Sequence, residues 1–337
     1  MAEMPTVSVL VVNWNGAHLL PSCLAALRKQ RTPPSQIVVV DNGSSDGSRQ
    51  FLEAQSDVTA VFLPVNTGFA AGNNAGLRLC TGKIIALLNN DAQADEDWIQ
   101  QALPAFAEPE VGMVACRVLR LEQPQIIDKA GHLMFADGLN RGRGCGRPDG
   151  PPYHTGDETL WPDGCAGFYR ASMIGEIGPL DEDFFLYGED AEWGMRAQWA
   201  GYSCRYEPQS RVLHAHSASL GKFNPHKIYF IERNRIFLAV KTFPLGMLLA
   251  SPLFTFIRYG YNIRSILTGK GAAGKFARQN PPLTLAWVLA RATLHGLLGL
   301  AKMWRKRGKV LRRRSAKEMG SLLRKHRISA GELTLED

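Results

Sequence analysis

The sequence predicts an α/β domain on a mostly parallel sheet with helices on both faces, followed by a helical tail. Three observations predict it. Over roughly the first 120 residues, short apolar runs alternate with stretches of helical spacing. Those runs are apolar at consecutive positions, as strands covered on both faces must be. After about Lys241 the alternation stops, and long apolar segments are separated by basic clusters.

The elements follow in order. Val7–Asn13 is a β-branched run, and residues 17–29 place Leu19, Leu20, Cys23, Leu24 and Leu27 at helical spacing. Residues 36–41 form a second strand that ends in a Gly/Ser turn. Residues 58–63, 70–79, 83–88, 96–106 and 111–116 then alternate strand and helix. Residues 137–159 are rich in Gly, Pro and Arg without periodicity, and read as a long loop over the site. A second helical block begins at Gly188.

In open α/β sheets, ligands bind beyond the carboxyl ends of the strands. Here those ends are polar: Asn13-Trp14-Asn15-Gly16, Asp41-Asn42-Gly43-Ser44, Asn66-Thr67-Gly68 and Asn89-Asn90-Asp91. Asp41, with its turn, offers a carboxylate and free N–H groups, or else the segment is a connecting loop in which Asp46 or Ser44 caps the next helix. Gly68, Gly72 and Gly76 bring backbone close to a ligand or to the sheet, with Asn73 and Asn74 on the helix between. Asp91 closes an apolar strand, and a hard cation needs only one or two such carboxylates beside phosphate oxygens and water.

Two later segments carry chemistry. In DEDFFLYGEDAEWGMR (181–196), Glu189 and Asp190 fall in the first turn of a helix whose dipole favours their ionised form, as a general base needs. The aromatics Phe184, Phe185 and Tyr187 just upstream imply a lined pocket. In RVLHAHSASLG (211–221), a strand carries His214 and His216 on one face, as metal ligands or structural residues. Arg233, Arg235 and Lys241 follow, suited to a diphosphate or to a solvated face.

In this order the motifs VVNWNG, VVVDNGSSDGS, NTGFAAGNN, LLNNDA, GRGCGRPDG, CAGFYR, PLDEDFFLYGEDAEW and VLHAHSAS followed by RN resemble the inverting family 2 glycosyltransferases of the GT-A fold. They are especially similar to bacterial rhamnosyltransferase-like members of cell-surface polysaccharide synthesis. The resemblance runs from about Val7 to Pro244. It implies a catalytic domain over residues 1–241, while the apolar segments and basic run beyond it read as a helical, membrane-associated region over 242–337. It implies a dTDP- or UDP-linked sugar donor, possible rhamnose transfer, a glycan or lipid-linked acceptor, and a divalent cation, Mg²⁺ or Mn²⁺. Asp190 matches the catalytic base, with Glu189 its neighbour. Asn13, Asn15, Asp41, Asn42, Gly68, Asn73, Asn89, Asn90 and Arg233 fall on the donor side. Asp91 matches the metal-binding aspartate, and His214 a position that supplies imidazole to metal or diphosphate. The metal motif departs from the family in having amides at Asn89 and Asn90. That erosion is the one feature favouring a non-catalytic sugar-nucleotide scaffold. A nucleotidyltransferase would need a Gly-rich basic first loop, which VVNWNGAHLL is not.

Net charge is +8, but residues 302–327 alone carry +11, leaving −3 for the rest. The basic tail, interleaved with Leu297, Leu298 and Trp304, favours an anionic membrane surface over nucleic acid. Residues 281–301 include Arg291 and His295, which suits a helix lying in the interface better than a span. Scattered cysteines and an N-terminus without a basic leader point to the cytosol, with the chain peripheral on the inner membrane's cytoplasmic face.

Overall fold

The computed structural model describes residues 5–215 and 224–335. The sheet half begins as expected: β1 (Val7–Asn13), α1 (Leu20–Arg28), β2 (Gln36–Asn42), α2 (Ser48–Glu53), β3 (Thr59–Leu63), α3 (Gly68–Leu77), β4 (Ile84–Asn89) and β5 (Ala92–Ala94). Then come α4 (Trp98–Ala102), which a 3-10 turn extends, β6 (Val111–Arg120), β7 (Gln123–Lys129), β8 (His132–Met134), β9 (Asn140–Gly142), β10 (Asp157–Thr159) and β11 (Ala166–Arg170). Next are α5 (Ala171–Ile177), α6 (Glu189–Trp199), β12 (Ser203–His214) and α7 (Pro225–Thr242). The tail is α8 (Leu245–Thr268), α9 (Gly271–Gln279), α10 (Pro282–Leu298), α11 (Leu300–Arg307), α12 (Ala316–Lys325) and α13 (Ala330–Leu335).

The main sheet runs β10-β12-β6-β11-β4-β1-β2-β3. Strands β1, β2, β3 and β4 are parallel, whereas β11 enters antiparallel between β4 and β6. Because alternate side chains point to opposite faces, one strand feeds two cores. Val9, Val11, Val39 and Leu88 pack with Leu24 and Leu27 of α1 and Trp98 of α4 on one side. Leu10, Val38, Val40 and Leu87 share the other with Trp193 of α6 and Phe237 of α7. Full burial of each such side chain contributes about 1.5–3 kcal/mol, so both helical layers are firmly held.

Two expectations change. Residues 137–159 are not a free lid: β9 pairs with β8, and β10 adds to the sheet beside β12. Arg143 fixes the segment by donating to both Asp157 carboxylate oxygens, at 2.6 and 2.9 Å, and to the Ala130 carbonyl. Only Gly138, Leu139 and Asn140 of this stretch reach the main cavity. The other change concerns the tail. The boundary expected at Lys241 falls one residue before the end of α7, and the following helices pack back on the body. Arg258 of α8 is buried between Glu232 of α7 and Asp137, at 2.7 Å from each. Lys306 binds Asp181 and Asp183, Lys302 binds Asp183, and Lys325 binds Glu158. Part of the basic run therefore pairs with acids of the body.

Candidate functional site

The polar ends of β1, β2 and β4 converge on one cavity of about 490 Å³. Val12, Trp14, Asn42, Asn89, Asn90 and Asp91 form its floor from the sheet side. Asn13 and Asp41 lie just beneath. The Asn13 amide donates to Asp41 Oδ1 (3.1 Å), while its oxygen accepts from Asn90 Nδ2 (2.7 Å). Asp41 Oδ2 accepts from the Ser44 N–H, and Asn15 Oδ1 from the Ser45 N–H (2.8 Å), so both also shape the turn after β2. Gly16 is required here, because a Cβ would collide with the Asn13 and Asn90 side chains.

Asn42 builds the next wall. Its oxygen accepts from the Thr67 N–H (2.9 Å), and its amide donates to the Gly68 carbonyl (3.0 Å). Gly68 has φ +87°, and a Cβ would stand 2.6 Å from the Phe185 carbonyl oxygen, so this close approach needs glycine. Two other donor-side expectations do not reach the cavity. Asn73 turns back to donate to the Phe69 carbonyl of its own helix. Arg233 donates to the Asp183 and Phe184 carbonyls, both at 2.9 Å, with its guanidinium over the Phe230 and Phe237 rings. Both are structural in this geometry.

Asp91 and His214 meet at one edge. His214 Nε2 is 3.2 Å from Asp91 Oδ1, and Nδ1 is 2.8 Å from Asp128 Oδ2. Burial alone would raise Asp91, but His214 holds its carboxylate below the ordinary range. Burial would likewise lower His214, yet Asp128 and Asp91 carry it up to about 9. The buried Asp91 Oδ1 has no aligned hydrogen-bond donor. An oxygen and an imidazole nitrogen this close, with the far ring nitrogen held by a carboxylate, fit a divalent cation. His216 lies outside the described residues.

Glu189 and Asp190 open α6 on the same cavity, after Gly188 at φ +85°. Asp190 Oδ2 accepts from the Gly164 N–H at 3.2 Å. The helix dipole does not dominate these acids. Burial and the neighbouring Asp163 push Asp190 above the ordinary carboxylate range. Burial and Asp190 hold Glu189 well above it, and its Oε2 has no partner. Glu192 points away, bound to Arg196 and Lys241. Lys241 also binds Asp181, and Arg235 is tied to Glu232, so neither is a free phosphate ligand.

Three site residues carried no sequence signal beyond polarity beside a turn. Lys129 ends β7, His132 begins β8, and Asp163 precedes β11. Asp163 Oδ2 lies 2.8 Å from Lys129 Nζ and 3.0 Å from His132 Nε2. Burial opposes its charge, but those two neighbours, Lys129 foremost, hold Asp163 well below the ordinary range. His132, Asp163 and Asp190 each bring a ligand-capable atom within 4.8 Å of the others. That spacing also suits a cation, although the Lys129 ammonium already compensates Asp163.

The backbone above the acids is strained. Phe185 and Tyr187 have φ +63° and +65°, unusual for bulky residues. Asn234 of α7 pins them: its amide donates to the Phe184, Leu186 and Tyr187 carbonyls at 2.8, 3.0 and 2.6 Å. The Phe185 carbonyl in turn accepts from the Phe69 N–H at 2.7 Å, at the start of α3. One aromatic loop thus joins the two halves of the cavity.

Residues 8–155 match the family model for glycosyl transferase family 2. A pre-mycofactocin glycosyltransferase of Mycobacterium tuberculosis is 28% identical over 228 residues, 66% of this chain and 46% of that protein. The O-antigen biosynthesis protein RfbC of Myxococcus xanthus is 28% identical over 229 residues, 64% of this chain and 18% of that protein. The matched region thus spans half or less of either relative's length. Among solved structures, the mannosyltransferase PcManGT of Pyrobaculum calidifontis, in complex with GDP-Man and Mn²⁺, superposes with a TM-score of 0.54. That superposition covers 90% of this chain and 89% of the other at 18% identity, a likeness of GT-A fold. Residues 8–155 are thus similar to the family 2 glycosyltransferases, and the chain as a whole shares the GT-A fold.

Proposed function

We propose that this chain transfers a sugar from a nucleoside diphosphate donor to a hydroxyl of a glycan or lipid-linked acceptor, with inversion. The observation that carries the reading is one cavity lined by both a buried Asp91–His214 pair and the Asp190 carboxylate. The first suits the diphosphate end of the donor and the second the acceptor. Asn13, Asn90 and Asp41 are assigned to shaping the floor for the nucleoside, with Asn42, Gly68 and Asn89 in its walls.

Asp91 and His214 would hold a divalent cation, Mg²⁺ or Mn²⁺, which supplies neutralisation of the diphosphate charge. Asp190, aimed by the Gly164 N–H, takes the acceptor hydroxyl proton. The hydroxyl oxygen bonds to the anomeric carbon, and the bond from that carbon to the diphosphate oxygen breaks. The nucleoside diphosphate leaves with the electron pair. A single displacement inverts the anomeric configuration. Glu189, whose charge burial and Asp190 disfavour, stands in the same wall.

The donor assigned is dTDP- or UDP-linked, with rhamnose as the first sugar to test. The activity is placed in cell-surface polysaccharide synthesis, a setting supported by the O-antigen relative. The location assigned is the cytoplasmic face of the inner membrane, which six free thiols fit. The test is a thermal-shift screen over a nucleotide-sugar panel with and without Mn²⁺, then transfer assays with the stabilising donor. A Mn²⁺-dependent rise in Tm with one donor class is the result expected. A panel in which no sugar nucleotide stabilises the protein contradicts the reading.

A further inference from the structure

Helix α8 is packed inside out. Polar residues at its middle face the protein: Arg258, 1% exposed, lies between Glu232 and Asp137, and Thr255 contacts Asp137 and Arg235. Most of its large apolar residues face outward. Leu245, Leu249, Leu253, Phe256, Ile263 and Leu267 are each more than half exposed, at spacings that keep them on one face. At 1.5 Å per residue this stripe is about 33 Å long. Leu283, Trp287, Leu294 and Leu298 give α10 a similar outer face. Fifteen of the eighteen large hydrophobic residues exposed on the described surface lie between Leu245 and Leu311. A concentration of this kind marks an interaction surface rather than scattered exposure.

Charge identifies the occupant. Residues 245–315 contain fourteen Lys and Arg and no Asp or Glu. Arg264 stands exposed beside the α8 stripe, and Lys270, Arg278 and Arg291 are also exposed. A second copy laid on this surface would bring like charges together. An anionic bilayer supplies the opposite charge for the rim and a hydrocarbon boundary for the stripe. No single described helix is long and apolar enough to cross a membrane. The pair 283–298 and 300–307, bent by 50°, meets the length and composition test only together.

We propose that the outer faces of α8 and α10 form one lipid-docking surface, on which the protein lies flat against an anionic bilayer. This deepens the membrane setting given above and is independent of the transfer chemistry. Arg258 joins the docked helix to Asp137, next to Gly138, Leu139 and Asn140 of the cavity wall. The cavity is thereby held close to the headgroup layer, where an amphipathic acceptor would present its hydroxyl.

The experiment is flotation of the full chain with vesicles of phosphatidylcholine, alone or mixed with phosphatidylglycerol. Binding to the anionic vesicles, partly reversed by salt and fully by alkaline wash, is expected. The Leu253→Glu/Phe256→Glu variant, whose changes lie at exposed positions, should bind at least about tenfold less with unchanged circular dichroism and Tm. Arg264→Gln/Arg278→Gln should reduce anionic binding selectively. Wild-type binding by the Glu variant overturns the proposal, as does equal binding to neutral and anionic vesicles. Retention after alkaline wash replaces docking by a span through α10–α11. A stable dimer that the Glu changes abolish assigns the face to a second copy. Nucleoside diphosphate titration without vesicles reads the transferase assignment separately.

Discussion

Lys129 Nζ lies 2.8 Å from Asp163 Oδ2, and this ion pair stands beside Asp190. The groups facing Asp190 are Asp163, His132, Glu189 and the Ala191 and Gly164 N–H groups, with Lys129 behind Asp163. Asp163 raises Asp190, and a raised base is a stronger proton acceptor. In Asp163→Asn that negative charge is gone and Lys129 keeps only the more distant Asp128 carboxylate, at 3.9 Å, so Asp190 falls. The acid limb of kcat/KM, which requires ionised Asp190, should then move to lower pH while the plateau rate drops. A pH–rate profile checks this. A lower Tm with an unmoved limb would reduce Asp163 to a structural part.

Asp91 and His214 predict metal-linked nucleotide binding. Calorimetry should find UDP or dTDP bound more tightly with Mn²⁺, and Asp91→Ala should remove that difference. Asp128→Asn, which disturbs the partner of His214 Nδ1, should weaken Mn²⁺ binding by about 10- to 100-fold. Full Mn²⁺ enhancement in Asp91→Ala would move the cation elsewhere, with His132, Asp163 and Asp190 the next set to test.

Asn234 is predicted to matter through the backbone it holds. In Asn234→Ala the Leu186 and Tyr187 carbonyls lose this donor, the Phe184 carbonyl keeps Arg233 and the Leu186 N–H, and Phe185 and Tyr187 keep unfavourable φ values. Stability should fall by about 1–3 kcal/mol in denaturant unfolding. Transfer should fall more than donor affinity, because the loop leads directly into Glu189 and Asp190.

The tail should detach in acid. Burial disfavours the Glu232 charge, but Arg258 and Arg235 bring it down to about 2. Burial likewise opposes Asp181, which Lys241 and Lys306 bring to about 2. Both are depressed, so their stabilisation is complete above the unfolded values of about 4 and is lost as pH falls toward 2. Limited proteolysis between these limits should release α8–α13 before the sheet unfolds. Arg258→Ala, which leaves Arg235 alone against two buried acids, should cost about 3–5 kcal/mol at neutral pH. A tail cut equally at pH 7 and pH 3 would contradict this coupling.

The sheet was legible in the sequence where burial on both faces made strands continuously apolar. Val7–Asn13 is correct to the residue, and β2, β3 and β4 lie within a residue or two of expectation. Strands β8, β9 and β10 are three residues each, too short for any period to emerge, so the 137–159 stretch read as a loop. The place of Asp190 and Asp91 on one cavity was legible because each ends or opens a strong element. Lys129, His132 and Asp163 were not, since three short segments are brought together only by tertiary pairing. Arg233 and Lys241 were misjudged for the related reason that charge alone does not tell a ligand contact from a buried ion pair. For α8, the apolar character of the segment was legible but not which side faces outward, which the burial of Arg258 against Glu232 and Asp137 decides.

The central claim is that Asp190 is the base of a sugar transfer whose donor binds elsewhere in the same cavity. The most direct test measures transfer and donor affinity together in Asp190→Asn, using the sugar nucleotide that stabilises the wild type and with Tm confirming the fold. Transfer should fall by about 10²- to 10⁴-fold while donor affinity is retained. Transfer near the wild-type rate in a folded Asp190→Asn protein would contradict the account and pass the role of base to Glu189.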